Sequence, residues 1–158
     1  MSSNDLSLLK TDSDHKDFHQ LIRLLDTYLW GLYGEKQAFY TQFNKVDSIR
    51  HVVIAYLDDK PVGCGSFKEF NENTVEIKRM FLVESLRGTG IASKILEELE
   101  SWAKELDYTF AVLETAVKQP RSIQFYTNSG FQRIDNYGQY IGVENSICFK
   151  KELWINEK

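Results

Sequence analysis

A chain of 158 residues, 42% hydrophobic and 27% charged, has the size and composition of one ordinary globular domain, so we predict a single domain over residues 1–158. Its net charge of −4 argues against nucleic acid as a partner, because nucleic-acid-binding proteins usually carry a basic face. The longest wholly apolar run, Val52–Leu57, is too short to cross a membrane, and the polar N-terminus does not resemble a signal peptide. Cys64 and Cys148 form no C-x-x-C pair, which argues against a disulfide framework or a zinc site and favours a reducing cytoplasm.

The first half of the chain predicts one strand, two helices and three further strands. Leu6–Thr11 is short and apolar enough for a strand. From Asp14 onward, apolar residues recur at helical steps of three and four, at Phe18, Leu21, Ile22, Leu25 and Leu29. Gly31 and Gly34 interrupt that pattern, and EKQAFYTQF (35–43) predicts a second, shorter helix. HVVIAYL, VGCGSFKEF and TVEIKRMFLV then predict three strands joined by turns at DDKP and NEN.

The second half alternates helices with strands. The stretch ESLRGTGIA (84–92) leads into a helix with one apolar stripe, formed by Ile91, Ile95, Leu99, Trp102 and Leu106. YTFAVLET predicts a strand, and a short helix over 120–129 begins at Pro120 and ends where Gly130 takes a left-handed conformation. FQRI and SICFKKEL predict two closing strands. This order predicts a mixed α/β (α+β) domain, an antiparallel meander followed by a β-α-β crossover that makes part of the sheet parallel.

The glycine-containing stretch between strand and helix has the features of an anion-binding loop. Unpaired backbone N–H groups and the helix dipole favour an anion there, and Arg87 can add a charge-assisted hydrogen bond. The alternative is that Gly88 and Gly90 only turn a strand into a helix. The P-loop motif is excluded because its lysine is missing, and the dinucleotide fingerprint fails because Ser93 occupies its third glycine position.

Two separated motifs resemble the GNAT superfamily of acyl-CoA-dependent N-acetyltransferases. The first is R-x-x-G-x-A at Arg87, Gly90 and Ala92, and the second is LETAVKQPRSIQFYTNSGF (113–131). The order and spacing of elements match over nearly the whole chain, although before about residue 50 only the order matches. The resemblance implies a central, mostly antiparallel sheet of about 6–7 strands with a splayed parallel pair, flanked by about four helices.

The same resemblance implies acetyl-CoA as cosubstrate and no metal. The loop backbone would hold the pyrophosphate, and the end of the preceding strand would bind the pantetheine arm as though it were a further strand. The Leu82 or Val83 N–H would then face the thioester carbonyl. Gln119 stands where the family often has a cofactor-contacting asparagine. The implied cofactor-binding residues are Phe81, Leu82, Val83, Arg87, Gly88, Thr89, Gly90, Ile91, Ala92 and Gln119.

Acetylation of an amine needs a base, because an amine with a pKa of about 10 is protonated at neutral pH. Glu76 is the first candidate, since a carboxylate in the middle of a central strand is costly unless it is paired or used. Regular alternation would place Glu76 on one face with Lys78, Met80 and Leu82, and the alternative is an ion pair with lysine on a solvated face. Some members of the family use a glutamate at the matching position. Glu114 is the competing base or amine-binding residue.

Tyr126 is the candidate general acid for the leaving thiolate, a role that the resemblance assigns to the tyrosine of FYTNSGF; the alternative is a core aromatic residue. His15 and His19 are interpreted as surface or capping residues, and Cys64 as a packing residue. Four aromatic residues are predicted in loops near the acceptor, where they would bind a cation or cap the core: Trp30, Tyr33, Tyr137 and Tyr140.

The predicted function is direct transfer of an acetyl group, in a ternary complex, from acetyl-CoA to a primary amine of a small molecule. Three alternatives stay open: a non-catalytic acyl-CoA-binding sensor or scaffold, a protein or peptide N-acetyltransferase, and a dinucleotide-dependent enzyme. Homodimers are common in the family, and neither a nucleic-acid nor a membrane partner is expected.

Overall fold

In a computed structural model of the chain, residues 5–33 and 49–154 are described. The strands are β1 Leu6–Thr11, β2 His51–Leu57, β3 Lys60–Asn71, β4 Thr74–Leu82, β5 Phe110–Ala116, β6 Gln132–Ile134 and β7 Ser146–Glu152. The helices are α1 Lys16–Tyr33, α2 Ile91–Glu105 and α3 Pro120–Asn128. The predicted second helix over 35–43 lies outside the described residues.

The seven strands form one sheet in the order β1-β2-β3-β4-β5-β7-β6. The predicted parallel pair is β4 with β5, whose ladder joins Thr74–Glu76 to Phe110–Val112, while the other pairs are antiparallel. The mixed α/β class and the sheet predicted from the sequence are therefore confirmed. Within residues 5–33 and 49–154, no helix is both long and apolar enough to span a membrane.

The contacts divide the chain into two compact units. One unit comprises the residues up to Lys68 together with Lys78–Ser101, and the other comprises Glu69–Ile77 together with the residues from Trp102 onward. In the first unit, one face of α1 packs on the sheet through a cluster of apolar residues: Phe18, Leu21, Ile22, Leu25, Ile49, Val52, Ile54 and Cys64. The predicted interruption of the helix at Gly31 is wrong, because α1 continues to Tyr33. Packing of the apolar face of α1 outweighs the low helix propensity of one glycine.

The start of α1 confirms the interpretation of the two histidines. The His19 N–H donates to the His15 carbonyl, and His15 Nδ1 accepts a hydrogen bond from the Asp17 N–H at 3.1 Å. His15 is therefore a capping residue, because its ring nitrogen satisfies a backbone donor of the first turn. His19 is exposed and contacts the ring of Phe18 edge-on.

The glycines of VGCGS allow neighbouring elements to approach β3 closely. A Cβ atom on Gly63 would lie 2.9 Å from the Phe81 carbonyl oxygen, and one on Gly65 would lie 2.8 Å from Leu99 Cδ1. Both distances are shorter than a normal van der Waals contact. Gly63 is therefore needed so that β4 can pack against the backbone of β3, whereas at Gly65 the neighbouring atoms are ends of flexible side chains.

Strand β4 contains a break that the sequence pattern did not predict. Arg79 has φ +60°, a left-handed conformation that is uncommon outside glycine. The regular alternation predicted from Glu76 to Leu82 is therefore wrong beyond Lys78. Two side chains of β3 bond to the carbonyls at the break: the Ser66 hydroxyl donates to the Lys78 carbonyl at 2.7 Å, and the Cys64 thiol donates to the Arg79 carbonyl at 3.4 Å.

The same region explains Cys64. Burial raises the pKa of its thiol to about 12, against a smaller opposing effect of the Arg79 charge. A thiol that stays protonated is a poor nucleophile. Cys64 is thus a buried residue that packs and donates a hydrogen bond, which agrees with its interpretation as a packing residue.

Helix α2 ends one residue earlier than the apolar stripe suggested. Asp107 adopts φ +70°, its N–H donates to the Lys104 carbonyl, and the Tyr108 N–H donates to the Ala103 carbonyl. These two bonds form a Schellman motif, which stops the helix. Leu106 is therefore 44% exposed, and the predicted stripe is wrong at this position.

We predict opposite effects on stability for two glycine substitutions. Gly63→Ala should lower the free energy of unfolding by about 1–3 kcal/mol, because its methyl group meets a backbone oxygen that cannot rotate away. Gly31→Ala should raise it by about 0.5–1 kcal/mol, because the site is helical and its Cβ meets nothing within 4 Å. Urea unfolding of both variants checks this pair, and equal values for Gly63→Ala and the wild type would contradict the packing argument.

Candidate functional site

In the first unit, the segment after β4 forms the predicted loop before a helix. A short 3-10 helix, Glu84–Leu86, is followed by Gly88 with φ +83° and Gly90 with φ +88°. An added Cβ would meet nothing within 4 Å at either glycine, so glycine is needed there for conformation and not for space. The Lys94 N–H donates to the Gly90 carbonyl, which makes Gly90 the N-cap of α2. The N–H groups of the first turn, from Ile91 onward, have no partner inside the helix and suit an anion.

Two side chains hold this loop. The Thr89 hydroxyl donates to the Leu86 carbonyl at 2.6 Å, which fixes the turn between the two glycines. The Arg87 guanidinium lies 5.4 Å from the ring centre of Tyr28 on α1, a cation–π distance. Tyr28 was not predicted as part of this group, since nothing in its sequence context distinguishes it from the other aromatic residues of α1.

The backbone predicted to bind pantetheine is at the end of β4. Phe81 and Val83 are half-buried and Leu82 is buried. The Val83 N–H donates to the Val62 carbonyl at 2.9 Å, so this group is already engaged within the protein. Of the two backbone donors proposed for the thioester carbonyl, this leaves the Leu82 N–H as the candidate.

In the second unit, Glu76 is buried and hydrogen-bonded. Its side chain is 5% exposed, and its Oε2 accepts a hydrogen bond from the Tyr137 hydroxyl at 2.8 Å. The alternative of a solvated position on an open face is therefore wrong. Burial raises the pKa of Tyr137 above its ordinary value, and the Glu76 carboxylate raises it further. The phenol thus stays protonated and serves as a donor.

Glu114 lies on the same face of the sheet as Glu76. In the strand registers Glu76 is opposite Val112, and Glu114, two residues further along β5, is opposite Cys148 on β7. The Glu114 Oε2 accepts a hydrogen bond from the Ser146 hydroxyl at 2.7 Å. Burial raises the pKa of Cys148 to about 11. A hydrogen bond from the Tyr137 backbone N–H lowers this pKa, and the charges of Glu114 and Glu76 raise it. The two carboxylates thus act on one buried cluster.

Tyr126 is a buried residue of α3. Its ring meets Phe131 edge-on at 5.7 Å and is tilted over Phe149 at 6.4 Å. The Phe131 N–H donates to the Tyr126 carbonyl at 3.0 Å, part of the helix end in which Gly130 has φ +95°, as predicted. Burial, and then the charge of Glu114, raise the pKa of Tyr126. Tyr126 is thus both a core aromatic residue and a phenol that is protonated at neutral pH.

Of the four aromatic residues predicted to bind a cation or cap the core, two lie in the buried cluster. Tyr140 is 1% exposed, and the Tyr137 hydroxyl is bonded to Glu76, so both belong to the buried cluster. Trp30 lies on α1, not in a loop, and is 56% exposed. Tyr33 ends α1, and its side chain lies outside the described residues.

Gln119 is the half-buried N-cap residue of α3, and its side chain makes no capping bond. Its Oε1 accepts a hydrogen bond from the Ser122 hydroxyl at 3.4 Å. A role in holding a cofactor stays a prediction.

Asn136 was not predicted from the sequence and organises the loop that carries Tyr137. Its Nδ2 donates to the carbonyls of Tyr140, Val143 and Ser146 at 3.0–3.2 Å. The neighbouring Gly138 and Gly142, both with positive φ, are the only local signal of a tight loop.

A comparison with known protein families matches residues 15–131 to the family described as Acetyltransferase (GNAT) family. Among curated proteins, the IAA acetyltransferase of Azospirillum brasilense is 33% identical over 137 residues, which are 85% of this chain and 89% of that protein.

Solved structures share the fold. A Klebsiella pneumoniae protein provisionally assigned as an acyl-CoA N-acyltransferase superposes with a TM-score of 0.79 at 23% identity, over 94% of this chain and 97% of that one. A GNAT family acetyltransferase from Elizabethkingia anophelis with acetyl-CoA bound gives 0.69 at 17% identity, over 95% and 99%. At these identities the likeness shows the predicted GNAT-like fold.

The buried tyrosines predict a loss of stability at alkaline pH. The pKa values of Tyr126, Tyr137 and Tyr140 are raised in the folded protein, so folding favours their protonated forms. This contribution is complete below about pH 10, where unfolded tyrosine is protonated, and is lost as the pH rises above that value. The free energy of unfolding should therefore fall above about pH 10, with late tyrosinate absorbance appearing together with unfolding. Complete ionisation of all eight tyrosines in a protein that keeps its native circular dichroism would contradict this.

Proposed function

Because this chain belongs to the acetyltransferase (GNAT) family, we propose that it transfers an acetyl group from acetyl-CoA to a primary amine of a small molecule, by direct transfer in a ternary complex. The match of residues 15–131 to the family carries the proposal. The site residues are proposed from the motifs and from the contacts described above.

The residues of the first unit fit the donor substrate. A pyrophosphate is a doubly charged anion, and the loop 87–92 offers two glycines in left-handed conformations, a helix N-terminus and one arginine. The backbone of Phe81–Val83 would bind the amides of pantetheine, with the Leu82 N–H as donor to the thioester oxygen. That a structural neighbour was solved with acetyl-CoA bound supports this assignment.

The residues of the second unit fit the proton transfers. A carboxylate first takes a proton from the ammonium group through water, and the freed amine nitrogen attacks the thioester carbonyl carbon to form a C–N bond. The C–S bond then breaks, the leaving sulfur takes a proton from the Tyr126 hydroxyl, and the second proton lost by the nitrogen restores the phenol. Glu76 is the leading base, because it is the more deeply buried carboxylate and a phenol holds it in place. Glu114 is the second candidate, as base or as the group that binds the amine.

A cytoplasmic location is part of the proposal. Cys64 and Cys148 are both free and buried, which is compatible with a reducing compartment.

The experiment that tests the function is an acceptor screen with acetyl-CoA, read by thiol release and by mass detection of the acetylated product. The panel holds small primary amines, amino acids, peptides with free N-termini, and IAA, the compound in the name of the Azospirillum relative. Turnover of a small amine is the expected result. Calorimetric binding of coenzyme A without turnover of any acceptor would instead favour a non-catalytic acyl-CoA-binding module.

Tyr126→Phe is expected to lower kcat by about 100- to 10,000-fold on the accepted amine, because the leaving thiolate loses its proton donor. The ring contacts with Phe131 and Phe149 are kept in this variant, so the melting temperature should change little. Unchanged turnover across the pH range would contradict the role as general acid.

Glu76→Gln is expected to lower kcat/KM, most strongly at low pH, where removal of the amine proton limits the rate. Glu114→Gln is the matched comparison, since its carboxylate also accepts a bond from a protein hydroxyl on the same face. If Glu114→Gln reproduced that pH dependence and Glu76→Gln did not, Glu114 would be the base.

A further inference from the structure

We propose that Tyr137 is a positioning residue that holds the carboxylate of Glu76 in the orientation in which it accepts the proton of the amine. This inference rests on the proposed function, in which Glu76 is the base. Tyr137 belongs to neither motif that identifies the family, and it lies 61 residues from Glu76 in the chain.

The hydrogen bond between Tyr137 and Glu76 is short and buried. The phenol oxygen donates to Glu76 Oε2 at 2.8 Å, and a hydrogen bond to an ionised acceptor is stronger than a neutral one. Because Glu76 is 5% exposed, water cannot freely replace this donor. Removing the phenol oxygen would take one hydrogen-bond donor from a buried carboxylate, and loss of a bond to the charged form favours the protonated, inactive form.

Tyr137 is itself held in place from several directions. Its ring lies edge-on to Phe70 at 5.0 Å and to Tyr140 at 5.8 Å. The Asn136 side chain ties the following loop together through the carbonyls of Tyr140, Val143 and Ser146. A phenol restrained in this way can fix the orientation of the carboxylate that it contacts.

The other titratable groups around Glu76 make a donor useful. The charge of Glu76 raises the pKa values of Tyr137 and Tyr140, which lie in the loop after β6, and of Cys148, which lies on β7. The charge of Glu114 on β5 also raises the pKa values of Tyr140 and Cys148. The Tyr137 hydroxyl is the member of this cluster that donates directly to the Glu76 carboxylate. Since burial raises its own pKa, it remains a donor and does not compete for the proton.

The test is the pH dependence of kcat/KM for Tyr137→Phe on the acceptor found in the screen. Loss of the donor should move the acidic limb to higher pH and lower kcat/KM about tenfold on that limb, while the alkaline plateau changes about twofold or less. Tyr108→Phe is the matched control, because the Tyr108 hydroxyl donates to Glu69 Oε1 at 2.6 Å, an exposed pair outside the cluster. Its profile should match that of the wild type.

A double variant separates positioning from general stability. In the background of Glu76→Gln, the further change Tyr137→Phe should have no additional effect on the pH profile, because the carboxylate it serves is gone. An equal additional loss in that background would overturn the proposal, since it would show a structural role independent of the base.

Carboxyl titration followed by NMR gives a readout that does not need turnover. With 13C-labelled glutamate, the signal that disappears in Glu76→Gln should titrate at higher pH in Tyr137→Phe and at the wild-type pH in Tyr108→Phe. A wild type that acetylates no amine would overturn the proposed function, and with it the role of Glu76 as base. An active wild type whose profile and titration are unaffected by Tyr137→Phe would overturn the role of Tyr137 alone.

Discussion

The left-handed conformation of Arg79 in the middle of β4 is the constraint on which the end of that strand depends. Glu76 precedes this break, and Phe81–Val83 follow it on the same strand. The conformation is unfavourable for a residue with a side chain, so it persists because its surroundings hold it. The Arg79 guanidinium donates to Asp26 of α1 at 2.8 Å, and side chains of β3 bond to the carbonyls at the break. Side chains of α1 and β3 therefore hold the part of β4 that leads to Phe81–Val83.

In the second unit, one buried and one half-buried carboxylate each accept a hydrogen bond from a neutral hydroxyl. Glu76 accepts from a phenol and Glu114 from a serine hydroxyl, each at a short distance. Hydroxyls satisfy the carboxylate oxygens without adding a charge that would also have to be buried. Burial raises the pKa values of Tyr126 and Tyr137, so both phenols stay protonated and can donate a hydrogen bond or a proton.

Most of the elements could be predicted from the sequence because they have local causes. The stripe of α1, the proline at the start of α3 and the left-handed Gly130 each act over a few residues. The break at Arg79 could not be predicted, because its stabilising partners come from α1 and β3. The end of α2 was predicted one residue too late, because Asp107 takes the left-handed position that glycine usually occupies. The bond from Tyr137 to Glu76 depends on the strand registers that bring them together, which no local pattern encodes.

A single side chain, that of Asn136, closes the loop before β7. One amide group joins three carbonyls spread over seven residues, from Tyr140 to Ser146, so the loop is closed by its own first residues. Its outward positions, including Ile141 at 70% exposure, take no part in that closure. An exposed position such as Ile141 can therefore change in sequence without loss of this closure. Tyr137 and Tyr140 cannot vary in the same way, because they contact the buried cluster beneath the loop.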